Sequence, residues 1–180
     1  MKNTFLVKGF LFTLFALLFT TVLMAQGDKA SRPSPPATAT GKIDDATVTI
    51  NYSSPAVKGR KVWGEMVPYD KAWRAGANEA TIFETDKELK VEGKTLPAGK
   101  YSLFATPGEK EWTILFNSQT GQWGIKRTGE ANYDPANNVL SVTVKPKKSD
   151  TMTERLTYEV TDKGFVLRWE NMEVPVSIKD

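Results

Sequence analysis

The run Trp73-Arg74-Ala75-Gly76-Ala77-Asn78-Glu79 places an indole, a guanidinium, a carboxamide and a carboxylate within seven residues. An indole offers a flat apolar face, and a guanidinium binds carboxylates bidentately. With Trp63 or Trp123 beside Trp73, and Arg74, Asn78 and Glu79 at the rim, the set suits a sugar. Sugars have apolar faces and hydroxyl edges; a carboxylate-bearing peptide or glycan would also fit. The same residues have a structural reading. Trp73 would close one end of a sandwich, Arg74 would pair with Glu79, Asn78 would cap a turn, and Gly76 would supply backbone freedom. The two readings can coexist, because a fixed indole is also a binding wall.

The composition closes other chemistries. The 180 residues contain no histidine and no cysteine. A Ser-His-Asp triad, a cysteine nucleophile and metal sites built on imidazole or thiolate are therefore excluded. No Gly-rich phosphate loop follows a strand, and no cofactor is implied. Acid–base work would fall to a shifted carboxylate, lysine or tyrosine. Three routes remain. Two carboxylates drawn from Glu65, Asp70, Glu79 and Glu84 would suit glycoside hydrolysis. Ser53, Ser54 and Lys58 resemble a Ser-Lys pair only loosely. Asn132, Asp134, Asn137 and Asn138 are oxygen-rich enough for calcium, but ordinary turn residues explain them equally well. No metal site is expected.

The elements that must hold these residues are strands. Ala46, Val48, Ile50 and Tyr52 alternate with Thr47, Thr49 and Asn51. The same period of two runs through 153–160, 165–169 and 172–178, and further strands are expected at 38–43, 80–85, 87–92, 100–106, 111–117 and 139–145. Turns are expected at Asp44-Asp45, Gly93-Lys94, Pro107-Gly108 (type II), Asp162-Lys163-Gly164 and Glu170-Asn171. Pro175 cannot donate to a ladder, which puts the last strand at an edge open to a partner strand. No amphipathic helix is evident. Nine or ten short strands imply an all-β antiparallel sandwich, jelly-roll-like or immunoglobulin-like. Residues 53–78 and 118–138 break the pattern. They carry Trp63, Trp73 and Trp123, and so are expected to be ordered functional loops.

The chain opens with Lys2, Lys8 and an uncharged apolar run to Gly27. Residues 1–25 read as a signal peptide cleaved after Ala25, with an uncleaved anchor as the alternative. A Pro/Ser/Thr-rich tether at 26–41 would then lead to a domain at 42–180. Export to the periplasm or beyond follows. Membrane contact is expected only through an uncleaved N-terminal segment. The precursor has 24 basic and 21 acidic residues; without Lys2 and Lys8 the balance is 22 to 21, so nucleic acid is not an expected partner.

The stretches GRKVWGEMVPYDKAWRAGANEATIFETD (59–86) and KTLPAGKYSLFATPGEKEWTILFN (94–117) resemble a secreted bacterial family known as Domain of Unknown Function 2911. The likeness runs from about Ser34 to about Val160. It implies export and a mostly β domain, and it brings no activity or catalytic residues. The expectation is a non-catalytic module binding a glycan or other cell-envelope ligand at Trp63, Trp73, Arg74, Asn78, Glu79 and Trp123. The alternatives are a structural or protein-interaction domain and a carboxylate-based glycan hydrolase.

Overall fold

Alternating apolar and polar residues fix which face of each strand is buried, and in this chain they build two stacked antiparallel sheets. The computed structural model describes residues 28–179. The expected signal segment, residues 1–25, lies outside the described residues. The chain divides into two units, Met1–Arg32 and Pro33–Asp180. The described part of the first is a 3-10 turn at Lys29–Ser31, capped by the Asp28 carboxylate on the Ala30 amide at 2.9 Å.

The second unit holds ten strands. They are β1 (Pro36–Ile43), β2 (Ala46–Ser53), β3 (Thr81–Thr85), β4 (Leu89–Val91), β5 (Lys94–Leu96), β6 (Gly99–Thr106), β7 (Trp112–Asn117), β8 (Asn138–Val144), β9 (Lys147–Thr161) and β10 (Gly164–Lys179). One sheet runs β1-β2-β3-β6-β7-β8 and the other β5-β4-β10-β9. The result is an all-β antiparallel sandwich. Strand β1 takes up residues 36–41 of the stretch read as a tether; its whole length is paired with β2, from Pro36 opposite Ser53 to Ile43 opposite Ala46.

The core lies between the sheets. Val48, Ile50, Phe83, Leu103 and Phe116 face Leu156, Phe165, Leu167, Val176 and Ile178, all essentially sealed from water. Strands β6 and β7 depart from simple alternation. Tyr101, Leu103 and Ala105 point into this core, while Phe104 and its ladder partner Leu115 are buried on the opposite face. Both faces of the sheet centre are therefore covered. The outer cover is the irregular segment 118–137, with Ala131 and Tyr133 packed on Phe104 and Leu115.

Three details differ from the sequence reading. The β4–β5 turn residues are Glu92 and Gly93, not Gly93-Lys94, and both have positive φ (47° and 78°). Gly108 is not among the residues with positive φ, so Pro107-Gly108 makes no type II turn. The last strand is not an edge: β10 lies between β4 and β9.

Strand β10 doubles back on itself. Ile178 N donates to Lys163 O at 2.9 Å, a Cβ on Gly164 would stand 2.8 Å from Ile178 N, and Arg168 Nε reaches Glu173 Oε1 at 3.1 Å. The fold-back centres on Glu170-Asn171, where Glu170 has φ 54°. Pro175 falls between the rungs that Met172 and Glu173 make with β9 and those that Ile178 and Lys179 make with β4. At that gap the ladder asks no donor of it.

Candidate functional site

The irregular segment 54–79 is built into the end of the sandwich by its tryptophans. Trp63 is buried, with its ring centroid 4.8 Å from Trp112, 5.7 Å from Trp169 and 5.8 Å from Trp73, each close to edge-on. Trp73 lies nearly parallel to Trp169, centroids 5.9 Å apart. Edge-to-face contacts between indoles add about 0.5–1.5 kcal/mol to what burial supplies. They also suit three indole N–H groups, on Trp63, Trp112 and Trp169, that are buried without a hydrogen-bond acceptor among the described residues. A neighbouring ring face is the weak partner such packing offers.

Trp73 is pinned from below. Its backbone N–H donates to Ala105 O at 2.7 Å, and the Ala105 backbone N–H returns a bond to Trp73 O at 2.9 Å. One face of the indole rests on Trp169, and the side chain stays only half-buried.

The four residues Ala75 to Asn78 are over-determined. Ala75 has φ 51°, which costs a residue bearing a Cβ about 1 kcal/mol or more. Its carbonyl accepts from Tyr158 Oη at 2.7 Å and Thr81 Oγ1 at 3.0 Å, which holds it there. A Cβ on Gly76 would lie 2.7 Å from Thr81 Oγ1 and 3.2 Å from Ser53 O, so only glycine fits. Ala77 N donates to Ser53 O. Asn78 has φ 59°; its Nδ2 donates to Ser34 O at 2.9 Å and its carbonyl accepts from Gly124 N at 2.9 Å.

This backbone leaves Arg74 aimed at the second irregular segment. A Cβ on Gly124 would collide with Arg74 Cδ and stand 2.8 Å from Arg74 Cβ, so the arginine stem lies flat on glycine backbone. Arg74 Nε donates to Gly76 O at 3.3 Å. Burial lowers the pKa of this guanidinium from its ordinary value.

Between the two segments lies a cleft of about 880 Å³, within the range of small-molecule and oligosaccharide sites. Trp73, Trp169 and Met66 contribute its apolar lining, and Tyr133 joins them from the second segment. Arg60, Lys71, Arg74 and Lys126 also line it, against one carboxylate among the described residues, Glu130. Arg60 is fixed by its bonds to Val57 O at 3.0 Å and Ala56 O at 2.6 Å.

Two of the six sequence-derived residues, Trp73 and Arg74, line this cleft; the other four do not. Trp63 sits beneath it in the core. Asn78 holds backbone. Glu79 bridges to Trp123, tying the two segments together, and Trp123 is 48 % exposed outside the cleft. Sequence reasoning missed Arg60, Lys71, Lys126 and the floor role of Trp169. The one available signal was charge: residues 53–78 hold five basic side chains and two acidic ones.

The other chemistries read from the sequence find no shared site. Glu65 pairs with Lys61 at 3.3 Å and Glu84 with Lys100 at 3.6 Å, all four exposed. Asp70 faces a separate shallow depression beside Gly108 and Glu111. Ser54 donates its hydroxyl to Leu156 O, while Lys58 is exposed. In the 132–138 run Asp134 caps a 3-10 turn, Asn138 Oδ1 accepts from Asn117 Nδ2, and Asn132 Nδ2 donates to Trp123 O. These are turn-stabilising roles. Among the described residues no three of His, Cys, Asp and Glu converge as metal ligands.

An antiparallel β-sandwich with an aromatic-floored, cation-lined cleft between two ordered connections is the class of protein these observations define. The chain belongs to the family described as Protein of unknown function (DUF2911), whose model matches residues 34–178. No curated protein and no solved structure matches it.

Proposed function

We propose that this domain is an exported, non-catalytic binding module that takes a glycan or other cell-envelope ligand in the cleft between 60–77 and 125–135. The observation that carries the reading is the adjacency of Trp73 and Arg74 in that cleft. The indole is fixed through backbone bonds to β6, and the Arg74 side chain is half-buried with its aliphatic stem laid across Gly124. A rigid aromatic platform beside a positioned fork of donors matches a sugar's apolar face and polar rim. Recognition is favoured over two-carboxylate hydrolysis because, among the described residues, Glu130 is the one carboxylate lining the cleft, whereas hydrolysis needs two across the scissile bond.

Thermal-shift screening against envelope glycans and peptides tests the reading. A ligand at a hundred times its dissociation constant adds about 2.7 kcal/mol. Trp73→Phe and Arg74→Gln should each remove that shift while the unliganded protein still melts cooperatively. A shift that survives both substitutions places the ligand elsewhere and ends this proposal.

A further inference from the structure

The cleft's charges narrow the chemistry of what it holds. Among the described residues Arg60, Lys71, Arg74 and Lys126 line it with only Glu130 opposing them. This excess is local, because the chain without Lys2 and Lys8 is balanced at 22 basic to 21 acidic residues. Arg60 spends two donors on Ala56 and Val57 carbonyls and acts as a fixed charge. Arg74 spends Nε on Gly76 O, and its two terminal nitrogens have no hydrogen-bond partner among the described residues. A half-buried guanidinium with an open end is poorly matched by neutral hydroxyls and well matched by an oxyanion. Trp73 and Trp169 lie next to it, so the group bearing the oxyanion meets aromatic surface.

We infer that the ligand is an acidic saccharide: a sugar ring stacked on Trp73 whose carboxylate or phosphate is held end-on by Arg74, with Lys71 and Lys126 at the rim. This rests on the recognition reading above and adds the ligand's charge. It predicts a preference for charged over neutral sugars, sensitivity to salt, and dependence on one guanidinium.

The test is titration of the chain, followed by tryptophan fluorescence, with hexagalacturonate, a phosphorylated oligomannose and maltohexaose. At least one acidic oligomer should bind about tenfold or more tightly than maltohexaose, because a charge-assisted hydrogen bond contributes roughly 1.5–3 kcal/mol. Whichever of the two binds tighter identifies the oxyanion. Raising the salt to about 0.5 M should shrink the preference. Arg74→Gln should reduce the acidic oligomer to the neutral one's affinity, and Arg74→Lys should restore part of it. Lys126→Gln, at an exposed position, should weaken acidic binding about two- to fivefold without altering the melting temperature, and it keeps the test decisive if Arg74 variants fold poorly. Equal binding of neutral and acidic oligomers overturns this inference and leaves the recognition reading standing. Binding of none of the three overturns this inference, while the recognition reading stands or falls on the wider thermal-shift screen. A preference that persists in Arg74→Gln and Lys126→Gln shows that the oxyanion sits elsewhere, and it too overturns the inference.

Discussion

The two irregular connections, 54–79 and 118–137, look alike in sequence and are opposites in structure. Both are long, both lack strand alternation, and both carry tryptophan. The first is part of the core: Val57, Val62, Trp63, Val67 and Ala75 are buried with the sheets. The second is a cover on the sheet's outer face, anchored by Ala131, by the Tyr133–Phe104 stack at 4.7 Å and by Gln122 Nε2 bonding Ser102 Oγ at 3.3 Å. Its own tryptophan, Trp123, is turned toward solvent. A tryptophan in a loop thus signals an ordered loop but not where its ring points. The cleft arises where a plug and a cover meet.

The largest test of that contrast is Trp63→Ala against Trp123→Ala. Removing the buried ring should cost about 3–5 kcal/mol by denaturant unfolding, since the tightly packed indoles around it cannot collapse into the hole. Removing the exposed ring should change stability by about 0.5 kcal/mol or less. Similar losses for the two would mean that the plug and cover distinction is wrong.

Gly124→Ala comes next, at the seam between the segments. The added methyl meets Arg74 Cβ at 2.8 Å and Asn78 O at 3.0 Å. Both are near backbone and cannot swing away, so a loss of about 1–3 kcal/mol is expected. In the Arg74→Ala background the same change should cost measurably less, because the collision with Arg74 Cδ is gone while those with the Cβ at position 74 and with Asn78 O remain. Additive losses in that double-mutant cycle would show that the arginine stem does not lie on this glycine.

Tyr158→Phe examines how the plug is tied down. It deletes the bond to Ala75 O but leaves the one from Thr81, so about 1 kcal/mol should be lost. A wild-type stability would mean that Ala75's backbone is held by Thr81 alone.

The smallest effect should be a pH dependence. Burial, with Tyr52 adding, pushes the Tyr158 phenol well above its ordinary value. A folded-state pKa above the unfolded one means that the contribution is fully present below about pH 10, the unfolded value. It is lost as the pH rises from there through the higher folded value. Alkaline unfolding curves should therefore steepen above pH 10, and less so in Tyr158→Phe. Tyr101, also raised by burial, accounts for part of what remains.

Much of the scaffold could be read without coordinates. Ala46 to Tyr52 alternate because one face of β2 meets the core and the other does not, and the burial of Ala46, Val48, Ile50 and Tyr52 follows that rhythm. Asp44, with φ 51°, turns the chain where the sequence shows paired aspartates between two strands. Pro175 misled because a strand can lose its neighbour locally without being an edge. The gap between two ladders depends on how β10 folds back, which involves residues up to fifteen positions apart. For the site, Trp73 and Arg74 were recognisable from residue type. Lys126 and Tyr133 were not, because nothing in a single sequence states that 125–135 lies across from 60–77.

Local physics written into the chain determined the two-faced strands, the absence of imidazole and thiol chemistry, and the ordering of two long connections that carry tryptophan outside the strands. Those follow from side-chain chemistry and from the two-residue repeat of an extended backbone. Which indole became floor, which cation faced the cleft, and which asparagine held backbone instead of ligand were settled only in three dimensions. Each depends on the approach of two segments some sixty residues apart in the chain, set by hydrogen bonds such as Gly124 N to Asn78 O and by a glycine that lets an arginine lie flat.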